Sequence, residues 1–334
     1  MFETYKPSGR VAPMFLPWLA IGSLMVVAAA FVYQLGLHWI PLIYINLLLT
    51  LVMGVVVGFC TSLVVKAGKV RNTPVAFLIL LLLVATAVAA KFGFQYMRML
   101  GEVKTALATM TPAQLAAETN ENLTPAQMDD FRKMVLEDYT FMTHIEQRVE
   151  SGWQIGKVGR ANDGNPISGI VVYIVWAIEA GAILYISGKA TMTAVKQPFS
   201  EKMGVWADEN EIVMTLPVTN EEMVAKIKSA TSVQELLELP IPKSDESNQF
   251  AVYTVHSVPG QEMEDAYLTV ELQTHTVNAK GENQVASKAL VRNAILTSGQ
   301  RTHLKENAEI MNEAFAAYRA SLLNPEKPAE GTNT

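Results

Sequence analysis

Four long apolar runs decide what this chain can fold into. They cover about residues 13–34, 40–65, 74–97 and 167–190. Each exceeds the ~20 helical residues needed to cross a ~30 Å hydrocarbon core. The chain therefore reads as an α-helical polytopic membrane protein with four transmembrane helices, and the lipid bilayer is its first partner. Composition agrees: half of the residues are apolar and 17% are charged, below the ~25% usual in soluble domains. The first run follows Lys6 and Arg10 and contains Ala28-Ala29-Ala30, as a signal peptide would. It is too long for that and continues through Phe31, Val32 and Tyr33, so it reads as an uncleaved span.

The flanking cations give an orientation. Lys6 and Arg10 precede the first run, Lys66, Lys69 and Arg71 fill the link between the second and third, and Lys189 and Lys196 follow the fourth. The link between the first two runs, around Gly36 to His38, has no Lys or Arg. The positive-inside rule then puts both termini in the cytoplasm, with the chain in a plasma membrane of the bacterial inner type. Thr73-Pro74 and Asn165-Pro166 each read as a capping residue before a proline that opens a helix, and Pro13 and Pro41 open the other two spans. Trp39 and Trp153 suit membrane–water interfaces.

Residues 98–166 read as an extracytoplasmic helical insert. Thr111-Pro112-Ala113-Gln114 and Thr124-Pro125-Ala126-Gln127 are two helix starts, and a shorter helix is expected around 106–117. The second opens a helix expected to run to Val149, with Phe131, Met134, Val135, Met142, Ile145 and Val149 along one side. The stripe packs on the shorter helix or the membrane face, or forms a seam for a partner. Asn122-Leu123-Thr124 is a formal glycosylation sequon, but Thr124 is already explained as a cap. Gly152, Gly156, Gly159 and Gly164 form a re-entry loop without phosphate-loop spacing.

Residues 198–323 read as a cytoplasmic α+β domain of β-α-α-β-β-β-α order, followed by a disordered tail, 324–334. Strands are expected over 211–216, 250–258, 266–277 and 286–296. Short helices are expected over 220–230 and 233–239, with Ser232 and Glu235 as a capping box. A loop follows at 240–247 and a closing helix at 300–323. After Gly188 there are thirteen Lys/Arg and twenty Asp/Glu, a balance of −7. Such a domain is a poor partner for nucleic acid.

Chemistry-bearing residues are few. Cys60 is the single cysteine, so no intramolecular disulfide and no cysteine-based zinc site can form. The five histidines show no metal-ligand spacing, although His256 and His275 fall on neighbouring strands and could approach one another. No phosphate-loop lysine or nucleophile elbow occurs, and no cofactor is expected. Glu179, in the middle of the fourth run, stands out, because a carboxylate is costly there. Centring each run in the bilayer brings Ser23, Thr50 and Thr86 to its depth, with Asn46 about 6 Å further out. Apolar neighbours on its own helix favour the neutral acid. Lys91 falls about 13 Å nearer the outer face and is expected to snorkel rather than pair with Glu179. Gly54 and Gly58, and Ala177 and Gly181, are small-x-x-x-small steps that let helices pack closely.

These observations favour a membrane-anchored interaction or scaffold protein that links cytoplasmic and extracytoplasmic partners or forms a homo-oligomer. The alternative is a small transporter, channel or proton-responsive subunit using Glu179.

Overall fold

The computed structural model describes residues 2–39, 43–111, 114, 124–152, 168–239, 247–261, 266–278 and 280–323. The chain divides into two compact units, Gly9–Lys196 and Met1–Ser8 with Gln197–Thr334. The expectations at Pro41, Trp153, Asn165-Pro166, the glycine-rich stretch after Gly152 and the tail lie outside the described residues. So do the helix start after Thr111 apart from Gln114, the sequon before Thr124, and most of the 240–247 loop.

The first unit holds four helices long and apolar enough to cross a membrane: α1 (Phe15–Trp39), α2 (Ile43–Ala67), α3 (Thr73–Thr109) and α6 (Ile170–Lys196). α1 packs on α2 and α3, and α6 packs on the same two, so the four close a ring. Val26, Ala30, Val57, Cys60, Leu83 and Ile183 fill its centre. Leu24, Val55, Leu78 and Ile178 point away from it, as expected of helices whose outer faces meet hydrocarbon. Buried hydroxyls bond their own helices: Thr61 donates to Val57 O (2.7 Å), Ser187 to Ile183 O (2.6 Å) and Thr191 to Ser187 O (2.8 Å).

Three expectations about this unit need correction. α3 is capped by Asn72, not Thr73: its side chain accepts from Val75 N at 3.0 Å, and Pro74 sits in the first turn. The helix then runs 37 residues, straight through the polar stretch after Met97, so residues 106–109 end α3 rather than begin a short helix. The helix expected over 125–149 is two, α4 (Pro125–Asp138) and α5 (Phe141–Ser151). Thr124 and Gln127 form a reciprocal capping box on α4, and Thr140 caps α5 by accepting from Thr143 N at 3.2 Å. The break between them lets Tyr139 stack on Tyr96 of α3, with centroids 6.0 Å apart, while Tyr96 Oη donates to Tyr139 O at 3.1 Å.

The second unit contains a short hairpin, β1 (Phe199–Ser200) with β2 (Val205–Trp206), and a four-stranded antiparallel sheet. The sheet runs in order β3 (Glu209–Pro217), β4 (Gln249–Ser257), β5 (Ala266–Val277), β6 (Asn283–Leu296). Helices α7 (Glu221–Ser229) and α8 (Val233–Leu237) join β3 to β4, and α9 (Ser298–Leu323) follows β6. They bury Leu216, Ile227, Leu236, Tyr253, Leu268, Leu296 and Leu304 in one core. From Tyr253 onward β4 alternates: Tyr253 and Val255 are wholly buried, while Thr254 and His256 are partly open; Ala251 is wholly buried and Val252 on the opposite face is buried as well.

The chain's N-terminal residues belong to this unit. Thr4 bridges Ala294 antiparallel, Tyr5 N donates to Asn293 O and Ile295 N to Glu3 O, both at 2.8 Å. They lengthen the sheet at the β6 edge, where unpaired backbone groups would otherwise remain. His256 and His275 do not meet: His256 lies opposite Tyr267 and His275 opposite Val285. His256 instead bonds Asn210 through Nδ1 and Thr269 through Nε2 (3.1 Å), and Thr269 bonds Asn293 (3.1 Å), a polar row across all four strands. The Ser232–Glu235 box is one-sided: Ser232 caps Glu235 N, but the Glu235 carboxylate turns to Thr231, whose N–H and hydroxyl hold it below the usual carboxylate range.

Candidate functional site

Glu179 is not alone in the bundle. Lys91 Nζ lies 2.5 Å from Glu179 Oε2, and each side chain is only 13% exposed. The expectation that Lys91 snorkels away is therefore wrong. The reason is register. Tyr33 is 18 residues past Phe15 and Lys91 is 18 past Thr73; Thr50 is 17 before Ala67 and Glu179 is 17 before Lys196. Measured from the ends that carry the flanking cations, all four stand about 26 Å along their helices. Centring each apolar run hid this, because α3 extends 12 residues beyond Met97 and Lys91 is its middle residue.

The four side chains come from four helices. Tyr33 Oη donates to Glu179 Oε1 at 3.2 Å, and Thr50 Oγ1 lies 3.5 Å from the same oxygen. Tyr33 and Thr50 are 3.0 Å apart, and Thr50 also donates to Asn46 O at 2.9 Å. The Lys91 ammonium stands 5.6 Å from the Tyr33 ring centroid and 5.4 Å from that of Phe92, a cation–π geometry. The carboxylate thus has a counter-charge and two hydroxyls beside it. A cavity of about 50 Å³ adjoins the pair, lined by Met53, Ala87, Phe92, Trp176 and Ile183. That is room for a few waters.

Of the expected shell, Thr50 is in place and Asn46 takes part through its carbonyl; its own Oδ1 is buried without a partner among the described residues. Ser23 and Thr86 are not part of it. Thr86 donates to Leu82 O at 2.8 Å, and neither residue bonds Glu179. Tyr33 and Lys91 are the residues that sequence reasoning missed, and the matched count from the basic ends was the signal that could have found them.

The glycine steps differ. A Cβ at Gly54 would meet Ile186 Cβ at 3.1 Å, and one at Gly58 would meet Ser187 Cα at 3.0 Å, so this step seats α2 against α6. Gly181 has nothing within 4 Å, and Ala177 is exposed, so their step makes no close contact among the described residues. Gly22, unremarked in the sequence, is tighter: a Cβ there would come 2.5 Å from Val64 Cγ2.

Among the described residues, no group of three His, Cys, Asp or Glu is placed to hold a metal ion. Comparison with protein-family models, with curated proteins and with solved structures gave no match.

Proposed function

We propose that the chain is a polytopic membrane protein that works as an anchored interaction protein, with the four-helix bundle holding a cytoplasmic α+β module and an outer helical insert. The observation that carries this reading is the closed polar centre of the bundle. Lys91 and Glu179 neutralise each other, Tyr33 and Thr50 lie against the other carboxylate oxygen, and no further carboxylate or ammonium joins the pair among the described residues. This is the chemistry of a pin between helices rather than of a path across them. The pairing of Thr4 with Ala294 supports the topology: chain entering α1 and chain leaving α6 belong to one folded unit, as four crossings require. Lys6, Arg10, Lys66, Lys69, Arg71, Lys189 and Lys196 favour the cytoplasm for that side.

The test has two arms. Crosslinking of the full chain in native membranes, then purification in mild detergent, should yield a partner or a second copy attached through the soluble parts. Reconstituted vesicles should show no proton or cation flux above empty vesicles. A lone monomer in the first arm contradicts the reading. Flux abolished by Glu179→Gln in the second arm would replace it with a proton-responsive transport subunit, which the buried ion pair beside a small cavity favours.

A further inference from the structure

Four buried nitrogens near the junction of α3 and α5 have no hydrogen-bond partner among the described residues: Nε and Nη1 of Arg98, Nε of Arg148 and Nε2 of His144. They come from two elements. Arg98 sits on α3 where the sequence passes from apolar to polar. His144 and Arg148 are four residues apart on α5, hence on one face. His144 is 1% exposed, and its Nδ1 is taken by Tyr139 Oη at 3.0 Å, which leaves Nε2 as the open ring atom. Burial first, then the charges of Arg148 and Arg98, hold the His144 imidazole below its ordinary value; burial and Arg98 do the same to Arg148. Glu102 Oε1 comes within 3.5 Å of Arg98 Nε, but without hydrogen-bond geometry, and that carboxylate is more than half exposed.

Buried donors without an acceptor are costly, and charged ones most of all. The two guanidinium groups, Arg98 with its side chain 33% exposed, leave donors unfilled beside the buried His144 ring, and like charges gathered at one junction call for an anion. We infer that Arg98, Arg148 and His144 form a binding site for a phosphate group. Phosphate suits it better than a single carboxylate because its several oxygens can take donors from more than one side, and guanidinium forks match their spacing. Arg98 lies at the level where α3 leaves its apolar stretch, so a lipid headgroup is one source of that phosphate and a free anion the other.

Native mass spectrometry on the full chain released from phospholipid nanodiscs tests the lipid source. A thermal-shift titration with inorganic phosphate against chloride, on delipidated protein in detergent, tests the free anion. Arg98→Gln with Arg148→Gln should weaken whichever binding the wild type shows by at least tenfold. Lipid retained by the wild type and lost by the variant assigns the site to a headgroup. A phosphate-specific shift lost in the variant assigns it to the free anion. Equal retention and equal shifts in both proteins overturn the inference. Should the double variant fail to fold, Arg148→Lys keeps the charge and loses the fork, and binding equal to wild type in that variant is equally fatal.

Discussion

In the helix bundle, Tyr33, Thr50, Lys91 and Glu179 bring polar atoms from four helices to one buried point. In the C-terminal unit, Leu216, Leu236, Leu268 and Leu296 do the equivalent with apolar side chains. The contrast follows from the solvent each surface faces. Hydrocarbon is no worse a medium for Leu24 or Ile178 than the bundle interior, so burial of apolar surface gives the helices little reason to associate. Close approach at Gly54 and Gly58 and a few interhelical polar contacts must supply it. The C-terminal unit holds none of the four candidate spans, and in water removal of apolar surface is the main stabilising term.

The contrast can be broken most sharply at Lys91. Lys91→Met leaves Glu179 without its counter-charge, and the bundle should lose about 3–5 kcal/mol, read as unfolding in mixed detergent. A paired leucine experiment comes next. Leu268→Ala should cost the C-terminal unit about 2–5 kcal/mol, whereas Leu83→Ala in the bundle should cost less, because only packing contacts are lost. Equal losses would mean that the bundle interior behaves like a water-excluding core.

Protonation sharpens the picture of the sheet. Burial holds the His256 imidazole below 6.5 despite the opposing pull of Glu271. The unfolded chain therefore takes up the proton first. Stability of this unit should be full above pH 6.5 and fall as the pH drops through that value, by no more than about 1.4 kcal/mol per pH unit. His256→Asn should flatten that dependence in a pH series of denaturant melts. The smallest effect is at Tyr253, whose hydroxyl is wholly buried without a partner among the described residues, a setting that raises its pKa. Tyr253→Phe should change stability by less than about 1 kcal/mol, and in the stabilising direction.

The apolar runs were legible because length and hydropathy alone define them, and the strands of the C-terminal unit because alternation at residues such as Ala251, Tyr253 and Val255 is a local pattern. The Lys91–Glu179 pair was not, because centring each apolar run misplaces Lys91 when α3 continues 12 residues past Met97. The edge pairing of Glu3 to Tyr5 was hidden for a related reason: a few alternating residues carry no periodicity that separates a strand from a tail. Tyr139 broke an otherwise continuous helical pattern through a contact with Tyr96, 43 residues away, which no local window contains.

The most direct test of the account is a double-mutant cycle on the pair. Lys91→Met and Glu179→Met should each destabilise the bundle, while the two together should recover most of the loss, since a buried ion pair replaced by apolar side chains of similar volume costs little. The double variant should also keep whatever partner the wild type holds. Losses that simply add, with no recovery in the double variant, would contradict the claim that Lys91 and Glu179 act as one pin of the bundle.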